Sequence, residues 1–204
     1  MKRLIATLKT MSSRREKIDY IWEYYKLHII GSVSAVLFLY IMIGNIFGEE
    51  EKVVEIMVVS EASLPVIEQV EEDLSEHSFE AFTLYIEYIQ HKGGKIEENA
   101  FDQMQKMSAA ISVGQIDIMI TDETLATQLI EEDLFLPLSE VIDLKQLNQE
   151  QYQLIDFGTN EVYGISTKNI AYFDDESFND TFILIPATSS NLEYVQSVMD
   201  VLLP

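Results

Sequence analysis

Apolar positions are distributed in two ways along this chain. One long uninterrupted run comes first, and from residue 53 onward short apolar segments alternate between strand and helix periodicity. The run is Leu27 to Phe47 (LHIIGSVSAVLFLYIMIGNIF), 21 positions without an Asp, Glu, Lys or Arg. As a helix it reaches roughly 31 Å at about 1.5 Å per residue, close to the hydrocarbon thickness of a bilayer. The pattern predicts a transmembrane helix over 27–47, preceded by a juxtamembrane segment over 1–26 and followed by a domain over 48–204.

Within that domain, Val53 to Val59 is a nearly continuous apolar run, as in a strand buried on both faces. Leu64 to Glu76 carries Ile67, Val70 and Leu74 at helical spacing. Phe82 to Gln90 is strand-like, rich in aromatic and β-branched residues, and His91-Lys92-Gly93-Gly94 reads as a turn. Asn99 is the expected cap of a helix through Val113. Asp102 completes a capping box, Phe101, Met104, Ser108 and Ile111 share one face, and Gly114 is the stop. Ile116 to Ile120 is a third strand, a helix follows over 123–132, and Ser139 starts a short helical turn. Tyr152 to Phe157 and Glu161 to Ser166 are two strands separated by Gly158, and Phe182 to Ile185 is the last strand. Ser190 and Glu193 form a capping box for a final helix ending near Leu203. This order predicts an α/β fold with a mostly parallel sheet and helices on both faces.

Charge gives the apolar run a direction. Residues 1–26 hold seven Lys/Arg against three Asp/Glu, and residues 48–204 hold six against 32, so the flanks carry +4 and −26 and sum to the net −22. The basic flank is expected on the cytoplasmic side of a cell membrane and the acidic domain outside it; an outer domain without cysteine suits a bacterium. Trp22, Tyr24 and Tyr25 stand where aromatic rings prefer the headgroup level, and Arg14, Arg15, Lys17 and Lys26 can meet anionic lipid. His28 sits at the inner edge of the span. Residues 1–11 read either as a short amphipathic surface segment or as a plain tail. A cleaved signal peptide is the rival to an anchor, but its apolar core is shorter and the exit sequence Asn45 to Glu50 has no A-x-A site. The small-residue pattern from Gly31 to Ala35 and the pair Gly44 and Gly48 are places for a partner helix, hence for homo-oligomerisation through the span.

The 48% hydrophobic content rules out a disordered chain, and the 157 residues from 48 to 204 suffice for one core. The absence of cysteine removes disulfides, thiolate metal sites and cysteine nucleophiles. A net −26 argues against nucleic acid as a partner and allows cations or basic proteins, with solubility as the plain role of the acidity.

Three stretches resemble a family. GQIDIMITDE (114–123) followed by EDLFLPL (132–138) is similar to a passage of type 2 extracellular solute-binding proteins; EVYGIS (161–166) resembles their hinge-entry strand. Ser189-Ser190-Asn191 resembles the start of their C-terminal helix. The resemblance implies one lobe of that fold over 53–204. It also implies a loss: only 16 residues separate Ile165 from Phe182, where the family inserts a second lobe. A single lobe cannot close over a small solute.

In open parallel sheets ligands sit beyond the carboxyl ends of the strands. The candidate ligand-binding residues are therefore Ser60, Glu61, His91, Thr121, Asp122 and Glu123. The competing role of Thr121-Asp122 is a helix N-cap, and that of Ser60 an ordinary turn. His77 and His91 are the only histidines of the domain, too few to argue for a metal, and the triplets 131–133 and 174–176 lack calcium-loop spacing. Asp156-Phe157-Gly158 stands without the other kinase motifs, and no nucleophile elbow, Walker loop or zinc-protease helix is present. No catalytic residue and no cofactor is expected. The expected partners are the lipid bilayer and another membrane protein or complex, such as a transporter, with the chain as accessory or sensory subunit. The alternative is a stand-alone binder of a cation or basic peptide in the acidic cleft.

Overall fold

The computed structural model describes residues 13–47, 52–91, 101–148 and 150–204, in two units, Met1–Glu50 and Glu51–Pro204. The expected segment over 1–11, the turn at 92–94, the Asn99 cap and the pairing role of Gly48 lie outside the described residues.

Among the described residues the first unit holds one helix, α1 (Arg14–Phe47), of 34 residues. At about 1.5 Å per residue it is roughly 51 Å long, more than a bilayer core requires. The surplus is at its N-terminal end. Tyr20, Trp22, Tyr24 and Tyr25 thus continue the same helix that carries the apolar run, with the Tyr20 and Tyr24 rings 4.7 Å apart. Trp22 is 55% exposed and Tyr24 66%. Among the described residues α1 is the one helix long and apolar enough to cross a membrane, and none of its apolar window is covered by protein.

The second unit is built on a seven-stranded sheet. Its elements are β1 (Val53–Ser60), α2 (Leu64–Ser75), β2 (Thr83–Gln90), α3 (Phe101–Ser112), β3 (Ile118–Asp122), α4 (Glu123–Glu131), β4 (Phe135–Leu136), β5 (Leu154–Ile155), β6 (Gly164–Ser166), β7 (Thr181–Pro186) and α5 (Leu192–Leu202). The strand order is β2-β1-β3-β7-β6-β5, with β4 paired to β7. β2, β1 and β3 are parallel, β1 and β2 in register from Val53 opposite Thr83 to Ser60 opposite Gln90. β7 runs antiparallel to β3, and β6 and β4 run antiparallel to β7. Five strands therefore share a direction and β5 and β7 oppose it. The physical reason lies in the connections. Helices α2 and α3 supply the crossovers that parallel neighbours need, whereas only short turns join β6 to β7.

Period two sorts the core. Val54, Ile56 and Val58 of β1, Ile118 and Ile120 of β3, and Ile183 and Ile185 of β7 pack with α2 and α5. Met57, Val59, Met119, Phe182 and Leu184 pack with α3 and α4. The sheet is thus covered on both faces, which is why β1 reads as a nearly continuous apolar run and β3 as a largely apolar one.

Several local expectations need correction. The expected helix face of α3 is rotated: Met104, Met107, Ala110 and Ile111 are buried, while Phe101 is 80% exposed and Ser108 is at the surface. The third strand starts at Ile118 and extends to Asp122; one step before it, the Asp117 N–H donates to the Glu55 carbonyl at 2.9 Å while the Asp117 carboxylate accepts the Glu55 N–H. The strands around Gly158 shrink to a hairpin of two- and three-residue strands. Ser190 does not cap α5; Asn191 stands at the cap position with its side chain spent elsewhere. The Asp156-Phe157-Gly158 motif is a turn, with Phe157 at φ 51° and Gly158 at φ 80° and the Asp156 carboxylate accepting the Gly158 N–H.

Candidate functional site

The carboxyl ends of β1, β2 and β3 lie side by side, so the six candidate residues are gathered on one edge by the register alone. The His91 N–H donates to the Ser60 carbonyl at 2.8 Å, extending the β1–β2 ladder by one step. His91 Nε2 lies 3.1 Å from Asp122 Oδ2, and the imidazole is completely buried. The other oxygen of Asp122 accepts the N–H groups of Thr124 (2.8 Å) and Leu125 (3.0 Å) and so caps α4. Burial pushes the Asp122 carboxyl up, but the His91 hydrogen bond and the two backbone amides outweigh it, and the group is held below the usual carboxylate value.

Ser60 is buried, and its hydroxyl accepts the Ala62 N–H at 3.2 Å, making the tight turn into α2. The Tyr88 hydroxyl donates to the Ala62 carbonyl and fixes the same turn from β2. Thr121 is fully buried, and its hydroxyl has no hydrogen-bond partner among the described residues. Glu61 and Glu123 point to solvent. Both Asp122 oxygens are thus occupied by the fold. What the edge offers to a ligand in the open is the pair of glutamates.

A second polar centre lies at the opposite edge. Asp117 is fully buried and accepts from the Glu55 N–H (3.1 Å), the Ser189 hydroxyl (2.7 Å) and the Asn191 amide (3.1 Å). Asn191 also donates to the Val53 carbonyl at 3.0 Å. Beside it, Glu55 is buried on β1 with both carboxyl oxygens reached by the Gln115 amide, at 3.1 and 3.3 Å. Burial raises the Glu55 carboxyl; the Gln115 contact opposes this, while Glu87 and Asp117 add to it. Lys106 of α3 pairs with Glu87. None of these residues was among the sequence candidates. Glu55 had a signal, since it is the one charge inside the run VVEIMVV.

Among the described residues no three His, Asp or Glu side chains converge as a metal site. Arg14, Arg15, Trp22, Tyr24, Tyr25 and Lys26 are all exposed on α1, with Lys17 partly covered.

No protein-family model matches the chain and no curated protein is similar to it. Two solved structures are partly similar. One is an ABC substrate-binding protein from Listeria monocytogenes in complex with cycloalternan, at 16% identity and TM-score 0.34, covering 56% of this chain and 28% of that one. The other is an extracellular solute-binding protein of family 1 from Alicyclobacillus acidocaldarius subsp. acidocaldarius, at 16% identity and TM-score 0.39, covering 57% and 28%. The chain thus spans little more than a quarter of the length of either.

Proposed function

We propose that this chain is a single-pass membrane protein whose acidic α/β unit stands outside the cytoplasm and works, without catalysis, as an accessory or sensory subunit of a membrane complex such as a transporter. The observation that carries this reading is the stretch between β6 and β7. Those residues form three short turns, Thr167–Asn169, Ala171–Phe173 and Glu176–Phe178, and return directly to the same sheet. There is no second lobe at this position to close on a solute. A single sheet edge presents a surface, which suits contact with another protein better than capture of a small molecule. The uncovered membrane-length helix and the charge difference between its flanks support an anchor in this orientation.

The test is affinity purification of the full-length protein from its own membranes with quantitative mass spectrometry. A stoichiometric membrane partner is the expected result. A solitary monomer counts against the reading and favours the alternative, a cation or basic-peptide binder at the strand-end edge. That alternative draws on Glu61 and Glu123, the exposed carboxylates there. Its variant of choice is Glu61→Gln with Glu123→Gln, because Asp122 is committed to the α4 cap.

A further inference from the structure

Between α2 and the turns that precede β7 runs a groove of about 230 Å³. Its floor is apolar: Val70 and Phe178 are buried core residues, with Val66 and Tyr172 packed against the same core. Its rim is acidic: Asp73 from α2, and Asp174 and Asp175 from the turn segment. Among the described residues no Lys, Arg or His pairs with any of the three, and no lining residue is basic. Two of the carboxylates are held in place. Asp73 accepts from the Gln69 amide at 2.8 Å, and Asp175 accepts from the Ser177 N–H at 2.9 Å and its hydroxyl at 2.5 Å. Tyr172 is held by its hydroxyl, 2.6 Å from His77 Nε2.

Size, polarity and charge together define an occupant. Pockets for drug-sized ligands measure roughly 300–1,000 Å³, so this smaller groove matches a single long side chain better than a large ligand. An apolar floor under an acidic rim matches a long side chain with a hydrocarbon stem and a cationic head. A guanidinium is weakly hydrated, packs flat on an aromatic face and forks toward carboxylates, and Tyr172 and the aspartates provide both. The chain's own Arg14 and Arg15 precede the apolar run and, in the proposed topology, are on the cytoplasmic side of the bilayer.

We infer that this groove between α2 and residues 172–178 is a docking surface for an arginine side chain, flanked by apolar residues, of a partner protein. The inference rests on the accessory-subunit reading for the existence of a partner, and its test is separate from that reading.

The probe is the peptide acetyl-Leu-Arg-Leu-amide, titrated into the full-length, valine-methyl-labelled protein in detergent micelles and followed by NMR. The Val66 and Val70 methyl signals shift saturably, and the affinity weakens as salt rises from about 0.05 to 0.5 M. Asp73→Asn and Asp174→Asn each weaken binding about two- to fivefold, the range for a partly exposed ion pair. Unchanged Val195 and Val198 signals certify that each variant is folded. Three results overturn the inference: unmoved Val66 and Val70 signals, equal shifts from the peptide with norleucine in place of arginine, or wild-type affinity in both aspartate variants. Equal binding of the lysine peptide overturns the assignment to arginine. A silent titration beside a stoichiometric co-purified partner sinks the groove and leaves the accessory role standing; a solitary protein with a positive titration does the reverse.

Discussion

The fully buried carboxylate of Asp117 takes a 2.7 Å hydrogen bond from the hydroxyl of Ser189, 72 residues later in the chain. The same carboxylate holds the Glu55 N–H at the start of β1 and the Asn191 amide ahead of α5. One side chain thus joins the first strand, the loop before β3 and the entry to the last helix. Asp117→Ala strands the buried Glu55 N–H and removes the acceptor of the Ser189 hydroxyl and one of the two acceptors of the Asn191 amide. A loss of about 3 kcal/mol is expected in urea unfolding of the full-length protein in micelles, against about 1 kcal/mol for Ser189→Ala.

Gly114 ends α3 at φ 71°, and a Cβ there meets the Thr188 carbonyl oxygen at 2.5 Å. The Thr188 hydroxyl in turn donates to the Ile111 carbonyl, so the loop before α5 rests on the end of α3. Gly114→Ala adds a backbone clash to left-handed strain and is expected to cost about 2–3 kcal/mol. Gly158, at φ 80° with open space around it, isolates the strain: Gly158→Ala should cost only about 1 kcal/mol. Equal losses in thermal melts of the two variants would remove the clash from the explanation.

Burial raises the Glu55 carboxyl above its ordinary value of 4.5. The folded chain therefore keeps this proton longer than the unfolded chain does. The stabilising contribution is complete below about pH 4.5 and is lost as pH rises through the folded value. Glu55→Gln lacks this loss. The melting temperature of the variant is expected to pull ahead of wild type as pH climbs above 4.5, and a gap that does not depend on pH would show that Glu55 is not the group responsible.

Asp122 behaves in the opposite sense. Its carboxyl is held below 3.8, since the hydrogen bonds from His91 and the α4 amides outweigh the effect of burial. Its contribution is present above pH 3.8 and fades as pH falls through the lower folded value. Asp122→Ala should cost about 1–2 kcal/mol for the cap alone. Asp122→Ser retains a capping acceptor while giving up the reach to His91, so it is expected to lose less than Asp122→Ala. Identical losses would assign the whole effect to the His91 contact.

The absence of cysteine allows a clean test of orientation. Single cysteines at Ser13, before the apolar run, and at exposed Thr159, in the α/β unit, are the two probes. On intact cells a membrane-impermeant maleimide should label Thr159→Cys and spare Ser13→Cys until the membrane is opened. Labelling of Ser13→Cys alone would invert the topology. Retention of a full-length chain in the membrane separates an anchor from a cleaved leader.

Much of the layered fold was legible because it follows from local pattern. β1 and β3 announced double burial by largely apolar runs, and Ile67, Val70 and Leu74 stood on the buried face of α2 as their spacing requires. The carboxyl-edge candidates came together for an equally simple reason: a parallel register places Ser60, His91 and Asp122 on neighbouring strand ends. Their use was less legible. Ser189, Ser190 and Asn191 have the composition of a capping motif, yet Ser189 and Asn191 bond Asp117 and α5 begins without a side-chain cap. A carboxylate more than 70 residues away took side chains that spacing assigns to a local cap, and no spacing rule encodes that choice.

The sequence by itself determined the membrane-length helix, the charge difference between its flanks, and an α/β unit in which only 16 residues separate Ile165 from Phe182. These depend on run length, net charge and spacing, all local or additive quantities. Only the tertiary structure decided that β7 runs against β3, that Glu55 and Asp117 stand next to each other in the interior, and that Asp73 faces Asp174 and Asp175 across an apolar groove. Each of these depends on which distant segments pack together, and packing partners are chosen by shape and burial over the whole domain, not by the residues nearby in the chain.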